Sequence, residues 1–354
     1  MPAGVRSSGT RQDLRPQLPW DNGQEFRILS IDGGGIRGIL PATILDECER
    51  RFLNGASAGT CFDMIAGTST GGIIALGLAA GMKAGHILTL YKDHGEEIFP
   101  PLVTTGRSRG FLARLSRKAA DVRSVRYDPA ALRSLLERNF GRMVLGEADR
   151  RLVIPTFDAH TKVNILKTPH HPDFQKDWRT AMVDVALATS AAPTYLPPHR
   201  IGTQFYADGG IWANNPIMLA LVDALTCHAI DRHCIRILSL GCGSGELRMT
   251  ERQISAGGLW DWRDIISVAM ELSGQNADGQ AGLLIGRDNL CRVDDPDQVY
   301  PIALDDVIEA QTVLPATGQR LFDENLENLR GFFTSPRPPY RAFHGPRANH
   351  AADD

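Results

Sequence analysis

Residues 28–38 read ILSIDGGGIRG, and residues 63–71 read DMIAGTSTG. Each stretch has a short apolar, β-rich run before its glycines and an apolar run with helical spacing after them. Each therefore predicts a strand, a tight turn and a helix. In Gly67-x-Ser69-x-Gly71 the glycines remove the Cβ atoms that would collide where a strand doubles back into a helix. Such a turn exposes a serine hydroxyl, which indicates a serine hydrolase.

The glycine run of the first stretch supplies a second element of such a site. Gly33, Gly34 and Gly35 can approach a substrate carbonyl closely and offer backbone N–H groups. Preorganised donors of this kind stabilise an acyl-transfer oxyanion, each by about 3 to 4 kcal/mol. Arg37 adds a cation beside them. We therefore expect residues 33–37, called the donor loop below, to bind an oxyanion.

The same glycines also match G-x-G-x-x-G, the fingerprint of dinucleotide binding. That reading requires an acidic residue at the end of the second strand. Here the acidic residue, Asp63, begins the second strand, which ends in Gly67. A nucleotide-binding module without enzymatic activity stays open as an alternative.

A serine nucleophile needs a base, and the sequence offers two kinds of candidate. Asp208 lies in YADGG at residues 206–210, after an aromatic strand and before NNP at residues 214–216, which opens another helix. Histidines could serve in a Ser-His-Asp triad, but none of them lies in a recognisable motif. The histidines that stay open for this role are His170, His171, His199, His228 and His233.

The motifs DGGGIRG, GTSTG and DGG, in this order, resemble those of the patatin-like phospholipase family, and the resemblance covers residues 27–245. It implies a catalytic dyad of Ser69 and Asp208 without histidine or metal. In the implied mechanism Ser69 attacks an ester carbonyl, Asp208 accepts its proton, and water then releases the acyl group. The oxyanion hole would be formed by the donor loop residues Gly33, Gly34, Gly35 and Arg37.

Alternating strands and helices from residue 26 to residue 245 predict an α/β fold with a mainly parallel central sheet and helices on both faces. The chain is long enough to bury a substantial core as one domain. The expected segments are a catalytic domain at 25–245 that includes a basic helical cap near 100–145, a C-terminal helical layer at 246–334, and flexible ends at 1–24 and 335–354.

The net charge of −3 conceals a basic segment. Residues 107–142 contain ten Arg or Lys and three acids, a local net charge of +7. Together with the apolar Phe111, Leu112 and Leu115, this composition suits a helix that lies on an anionic membrane surface. A solvated cap helix or a subunit interface, and hence a homo-oligomer, explains it equally well. Nucleic acid is not expected as a partner, because no recognition motif accompanies the charges.

Six scattered cysteines without metal spacing, and an N-terminus without an apolar signal core, predict a cytoplasmic protein with no metal or cofactor. We expect a phospholipase that acts peripherally on the inner membrane; an esterase or thioesterase for soluble acyl substrates is the alternative. Such an enzyme would endanger its own membrane, so an off state is expected. The resemblance extends to effectors of bacterial anti-phage defence that a cyclic dinucleotide activates, and it implies such an activator here.

Overall fold

The computed structural model describes residues 15–100, 126–158, 160, 162–243, 265–295 and 302–348. Residues 101–125, which hold most of the basic segment and its apolar residues, lie outside these ranges. The helical cap therefore stays a prediction. None of the helices in the described ranges combines the length and the apolar composition that crossing a bilayer requires.

The described part of the chain contains ten strands. They are β1 (Leu18–Pro19), β2 (Phe26–Ile31), β3 (Met64–Gly67), β4 (Arg151–Asp158), β5 (Val163–Lys167), β6 (His199–Ile201), β7 (Gln204–Asp208), β8 (His228–Ala229), β9 (Ile235–Leu240) and β10 (Leu290–Val293). Eight of them form one sheet in the order β10-β9-β2-β3-β4-β7-β6, with β5 paired to β4. The pairs from β10 to β4 are parallel, and β5, β6 and β7 add antiparallel pairs. The prediction of a mainly parallel sheet is confirmed.

Helices cover both faces of this sheet. The α-helices in the described ranges are α1 (Ile39–Phe52), α2 (Thr70–Ala79), α3 (Ala84–Ile98), α4 (Ala130–Phe140), α5 (Met182–Thr189), α6 (Gly210–Ala213), α7 (Ile217–Cys227), α8 (Ile265–Ile285), α9 (Val307–Glu324) and α10 (Leu326–Arg330). Ile28 packs in a cluster with α7 and α8, whereas Leu29 packs in a second cluster with α1, α2, α5 and α9. Neighbouring strand residues separate in this way because successive side chains point to opposite faces.

The described parts of both ends, residues 15–24 and 335–348, contact the rest of the chain, although composition predicted flexible ends. At the N-terminal end, β1 pairs with β8. At the C-terminal end, Arg337 forms an ion pair with the buried Asp63 at 2.9 Å, and Tyr340 is only 5% exposed. Composition alone does not reveal these contacts, because the partners of these polar and aromatic side chains lie far away in the sequence.

Candidate active site

Ser69 lies in the turn between β3 and α2, at the N-terminus of α2. Its backbone has φ 55° and ψ −122°, a conformation that is strained for any residue with a side chain and that is typical of functional sites. A Cβ at Gly67 would lie 2.1 Å from the carbonyl oxygen of Gly71, and a Cβ at Gly71 would lie 2.3 Å from the carbonyl oxygen of Ile31. Both glycines of the motif are therefore needed for this turn.

Asp208 ends β7 and lines the same cavity as Ser69. The Gly210 N–H donates to the Asp208 carboxylate at 2.7 Å. Asp208 is only 3% exposed. Burial raises the pKa of Asp208 to about 6, although the nearby Ser69 side chain and the hydrogen bond from Gly210 oppose this rise. A carboxylate with a raised pKa is a better proton acceptor than an exposed aspartate, so the burial that a Ser-Asp pair needs is present.

Thr189, at the end of α5, positions the serine turn. The Ser69 N–H donates to the Thr189 hydroxyl oxygen at 3.1 Å, and that hydroxyl donates to the Pro155 carbonyl in β4 at 2.9 Å. Two residues further on, the Ala191 carbonyl accepts the N–H of Asp208 at 3.0 Å. The chain after α5 thus connects the serine turn with Asp208. Sequence reasoning did not identify Thr189 as part of the site, because its two partners, Ser69 and Pro155, come from distant elements.

Two of the three glycines of the donor loop lie at this site. Gly34 and Gly35 line the cavity that contains Ser69 and Asp208. The expectation for Gly33 is wrong, because its N–H donates to the Asn214 carbonyl at 3.0 Å. The loop conformation requires glycine, since Gly35 has φ 57° and a Cβ at Gly34 would lie 2.4 Å from the Cβ of Cys242.

Arg37 is not a cation facing an oxyanion, as the sequence suggested. Its Nε donates to the Gly34 carbonyl at 3.3 Å, and its Nη1 donates to the Gly243 carbonyl at 2.9 Å. The guanidinium therefore connects the donor loop to the chain after β9. Arg37 is a positioning residue for the backbone that presents the N–H groups.

A second arginine, Arg292 at the end of β10, anchors the start of the donor loop. It donates to both carboxylate oxygens of Asp32, at 3.1 and 2.7 Å, and also pairs with Asp278 at 3.2 Å and Asp294 at 2.7 Å. Burial raises the pKa of Asp32 to about 7, although Arg292 opposes this rise. Sequence reasoning assigned no role to Arg292; a cation within the short strand-like run LCRV at residues 290–293 was the available signal.

The five histidines that stayed open for a triad have other surroundings, and none of them lines the cavity that contains Ser69. Four of them bond elsewhere: His170 contacts Asp223 at 2.6 Å, His199 contacts Asp184 at 2.9 Å, His171 contacts the Pro16 carbonyl at 2.9 Å, and His233 accepts from Arg232 Nε at 3.4 Å. The fifth, His228, packs with its ring 5.5 Å from that of Phe26. Since all five belong to the described residues, the structure contradicts a Ser-His-Asp triad built from them.

One buried cluster outside the cavity has ligand types that suit a metal. The ligand atoms of His170, Asp223 and Cys227 lie within 4.8 Å of one another. Asp223, however, already pairs with the Lys167 ammonium and with His170. Burial disfavours its charge, but these two partners hold the pKa of Asp223 well below its usual range. The cluster is therefore a compensated charge group that joins β5 to α7.

The cavity above Ser69 has a volume of about 270 Å³ and is called the Ser69 cavity below. Most of its lining is apolar, and its large side chains come from Ile73, Tyr91, Ile98, Phe99, Leu132, Tyr195, Leu196, Ile211, Met270 and Leu304. An apolar cavity with a few convergent polar groups is the usual form of a small-ligand site. Its composition suits an acyl chain.

The chain is similar in sequence to several known proteins. Residues 29–221 match the family model of the patatin-like phospholipases. The chain is 35% identical over 218 residues to a cGAMP-activated phospholipase of Pseudomonas aeruginosa, covering 61% of this chain and 62% of that protein. It is 34% identical over 254 residues to a cGAMP-activated phospholipase of Vibrio cholerae, covering 67% of this chain and 70% of that protein. It is also 33% identical over 284 residues to patatin-like protein 2 of Arabidopsis thaliana, covering 70% and 67%.

The chain is an α/β protein in which Ser69 and Asp208 line one cavity. The chain belongs to the patatin-like phospholipase family. It spans 62% of the length of the Pseudomonas aeruginosa relative, which is less than two thirds.

Proposed function

We propose that the protein is a lipid acyl hydrolase that cleaves phospholipid esters with Ser69 as nucleophile and Asp208 as base. The observation that carries the proposal is that Ser69 and the buried Asp208 line the same mostly apolar cavity, where the Ser69 side chain acts on the pKa of Asp208. Family membership supports a lipid ester as the substrate.

In the proposed reaction the Ser69 oxygen forms a bond to the ester carbonyl carbon while its proton moves to Asp208. The N–H groups of Gly34 and Gly35 stabilise the oxyanion, and the N-terminus of α2 favours the same negative charge. Asp208 then gives its proton to the leaving alkoxide as the ester C–O bond breaks. In the second half, Asp208 takes a proton from water, the hydroxide releases the acyl group, and the proton returns to Ser69.

Activation by a cyclic dinucleotide is the second part of the proposal. The relatives from Pseudomonas aeruginosa and Vibrio cholerae are cGAMP-activated phospholipases. We infer that the present protein also responds to a cyclic dinucleotide and acts at the membrane surface in anti-phage defence. The basic segment at residues 107–142 supplies cations for an anionic membrane or for an oligomer contact.

The test compares wild-type protein with the Ser69→Ala and Asp208→Asn variants on anionic phospholipid liposomes and on a soluble acyl ester. Each assay is run without nucleotide and with a panel of cyclic dinucleotides that includes cGAMP. We expect fatty acid release from liposomes by the wild type, a nucleotide-dependent increase, and no release by Ser69→Ala.

Cleavage of the soluble ester alone would favour the esterase alternative. Activity that no nucleotide changes would disprove the regulatory part and leave the hydrolase assignment intact. Dinucleotide binding by a protein that cleaves neither substrate would favour a non-enzymatic module.

A further inference from the structure

Arg126 is the one cationic residue among the described residues that line the Ser69 cavity. Its position is defined by the backbone, since its N–H donates to the Thr194 carbonyl at 3.1 Å and the N–H of Tyr127 donates to the Tyr195 carbonyl at 2.9 Å. A cation in the wall of a mostly apolar cavity calls for an explanation, because an acyl chain offers it no polar partner.

The Arg126 guanidinium has a resting partner at the cavity wall. Its Nη1 donates to Asp305 Oδ2 at 2.6 Å, and it lies over the Tyr195 ring, 4.7 Å from the ring centroid. The Tyr127 hydroxyl donates to the same Asp305 oxygen at 2.7 Å. The Arg126 side chain is 39% exposed, whereas that of Asp305 is 13% exposed. The cation is thus neutralised by a carboxylate but stays accessible to solvent.

Fold stabilisation is a weak explanation for this pair, because ion pairs with an exposed partner contribute little to stability. A guanidinium, in contrast, matches the geometry of phosphate oxygens and binds them with paired hydrogen bonds. In a phospholipid only the glycerol backbone separates the cleaved ester from the phosphodiester. A lipid whose ester carbonyl lies at Ser69 therefore places its phosphate in or near the same cavity.

We propose that Arg126 binds the phosphodiester of the lipid substrate, and that Asp305 stays paired with Arg126 until the phosphate displaces it. Arg126 is then the residue that selects phospholipids over neutral acylglycerols, while Asp305 weakens the binding of every phospholipid by competing for the same guanidinium. This inference rests on the proposed hydrolase function and names the part of the substrate that the cavity recognises.

The experiment measures kcat/KM for phosphatidylglycerol and for diacylglycerol with the same acyl chains, both in neutral detergent micelles. For Arg126→Gln we expect the ratio of the two values to fall at least tenfold, mainly through a higher KM for phosphatidylglycerol. Arg126→Lys keeps the charge and should recover part of the ratio. Asp305→Asn should change the KM for phosphatidylglycerol in the opposite direction, lowering it several-fold, because the competing charge is gone.

Tyr127→Phe is the matched control, since it removes a hydrogen bond to Asp305 without changing a charge. We expect it to leave the ratio within about twofold. A melting curve for each variant separates a folding defect from a change in specificity.

Equal losses on both lipids in Arg126→Gln, or no loss, would overturn the proposal. So would a higher KM for phosphatidylglycerol in Asp305→Asn. A cyclic dinucleotide also carries phosphodiesters, so the activation factor is measured as well; loss of activation with an unchanged lipid ratio would assign Arg126 to the nucleotide instead. Failure of the hydrolase proposal looks different, because the wild type would then cleave neither lipid.

Discussion

Arg292 holds Asp32 through two hydrogen bonds of 3.1 and 2.7 Å, although 260 positions separate them in the chain. The aspartate that begins DGGGIRG is therefore an anchor for the donor loop. The same guanidinium also pairs with Asp278 and Asp294, so one cation serves three carboxylates.

Arg292→Met should destabilise the protein by about 3 to 5 kcal/mol at pH 8, because it leaves buried carboxylates without their shared cation. The loss should shrink at pH 5, where the uncompensated carboxyl groups can take up protons. Urea unfolding at both pH values measures this, and Asp32→Asn added to Arg292→Met should restore part of the stability. Wild-type stability in Arg292→Met at pH 8 would contradict the anchoring role.

Ser69→Ala and Asp208→Ala should each lower kcat by at least about 10⁴-fold, and the double variant should be no slower than either single variant. Non-additivity is expected because nucleophile and base act in one step. Fatty acid release from liposomes is the assay, and circular dichroism checks the fold. If Asp208→Ala kept most of the wild-type rate, the dyad would be wrong.

The acidic limb of the pH profile should report Asp208. Burial raises the pKa of this carboxyl to about 6, and only the ionised form accepts the serine proton, so kcat/KM should fall about tenfold per pH unit below that value. Rates measured between pH 4 and pH 9 on a soluble ester avoid changes in the lipid surface. A profile that stayed flat down to pH 4.5 would exclude Asp208 as the base.

Asp208→Asn should be more stable than the wild type at pH 8. The pKa of Asp208 in the folded protein, about 6, lies above the ordinary 3.8. The stabilisation that this carboxyl contributes is therefore fully present below pH 3.8 and is lost as the pH rises through 6. The difference corresponds to about 3 kcal/mol at high pH. Thermal unfolding at pH 8 and pH 4 tests this: the advantage should vanish at pH 4. An equal advantage at both values would point to packing instead of charge.

Gly34→Ala should lower both stability and turnover, because the new Cβ would lie 2.4 Å from the Cβ of Cys242. Cys242→Gly removes that atom and should restore stability to Gly34→Ala. Turnover of the double variant should recover only if the backbone N–H of residue 34 again points at the position of the oxyanion. Loss of one oxyanion donor lowers kcat by about 10² to 10³-fold. Melting temperature and kcat of both single variants and the double variant measure this. A double variant as unstable as Gly34→Ala would show that the contact with Cys242 is not the cause.

The sequence by itself determined the fold class and the serine turn. Strand, turn and helix preferences are local, and glycine at position 67 is required by the backbone of the turn itself. Glycine at position 71, in contrast, is required by the neighbouring strand β2, because its Cβ would lie 2.3 Å from the carbonyl oxygen of Ile31. The motif DGG likewise identified Asp208, which lines the same cavity as Ser69. The catalytic roles of the two residues stay predictions.

Only the tertiary structure decided which polar groups of the site are used elsewhere. Gly33 donates its N–H to Asn214, Arg37 binds backbone carbonyls, and Arg292 neutralises Asp32. The packing of residues 335–348 was decided in the same way. Each of these outcomes depends on a partner from a distant element. A local pattern states which donors, acceptors and charges a residue carries, but the packing of the sheet and helices determines which of them meet.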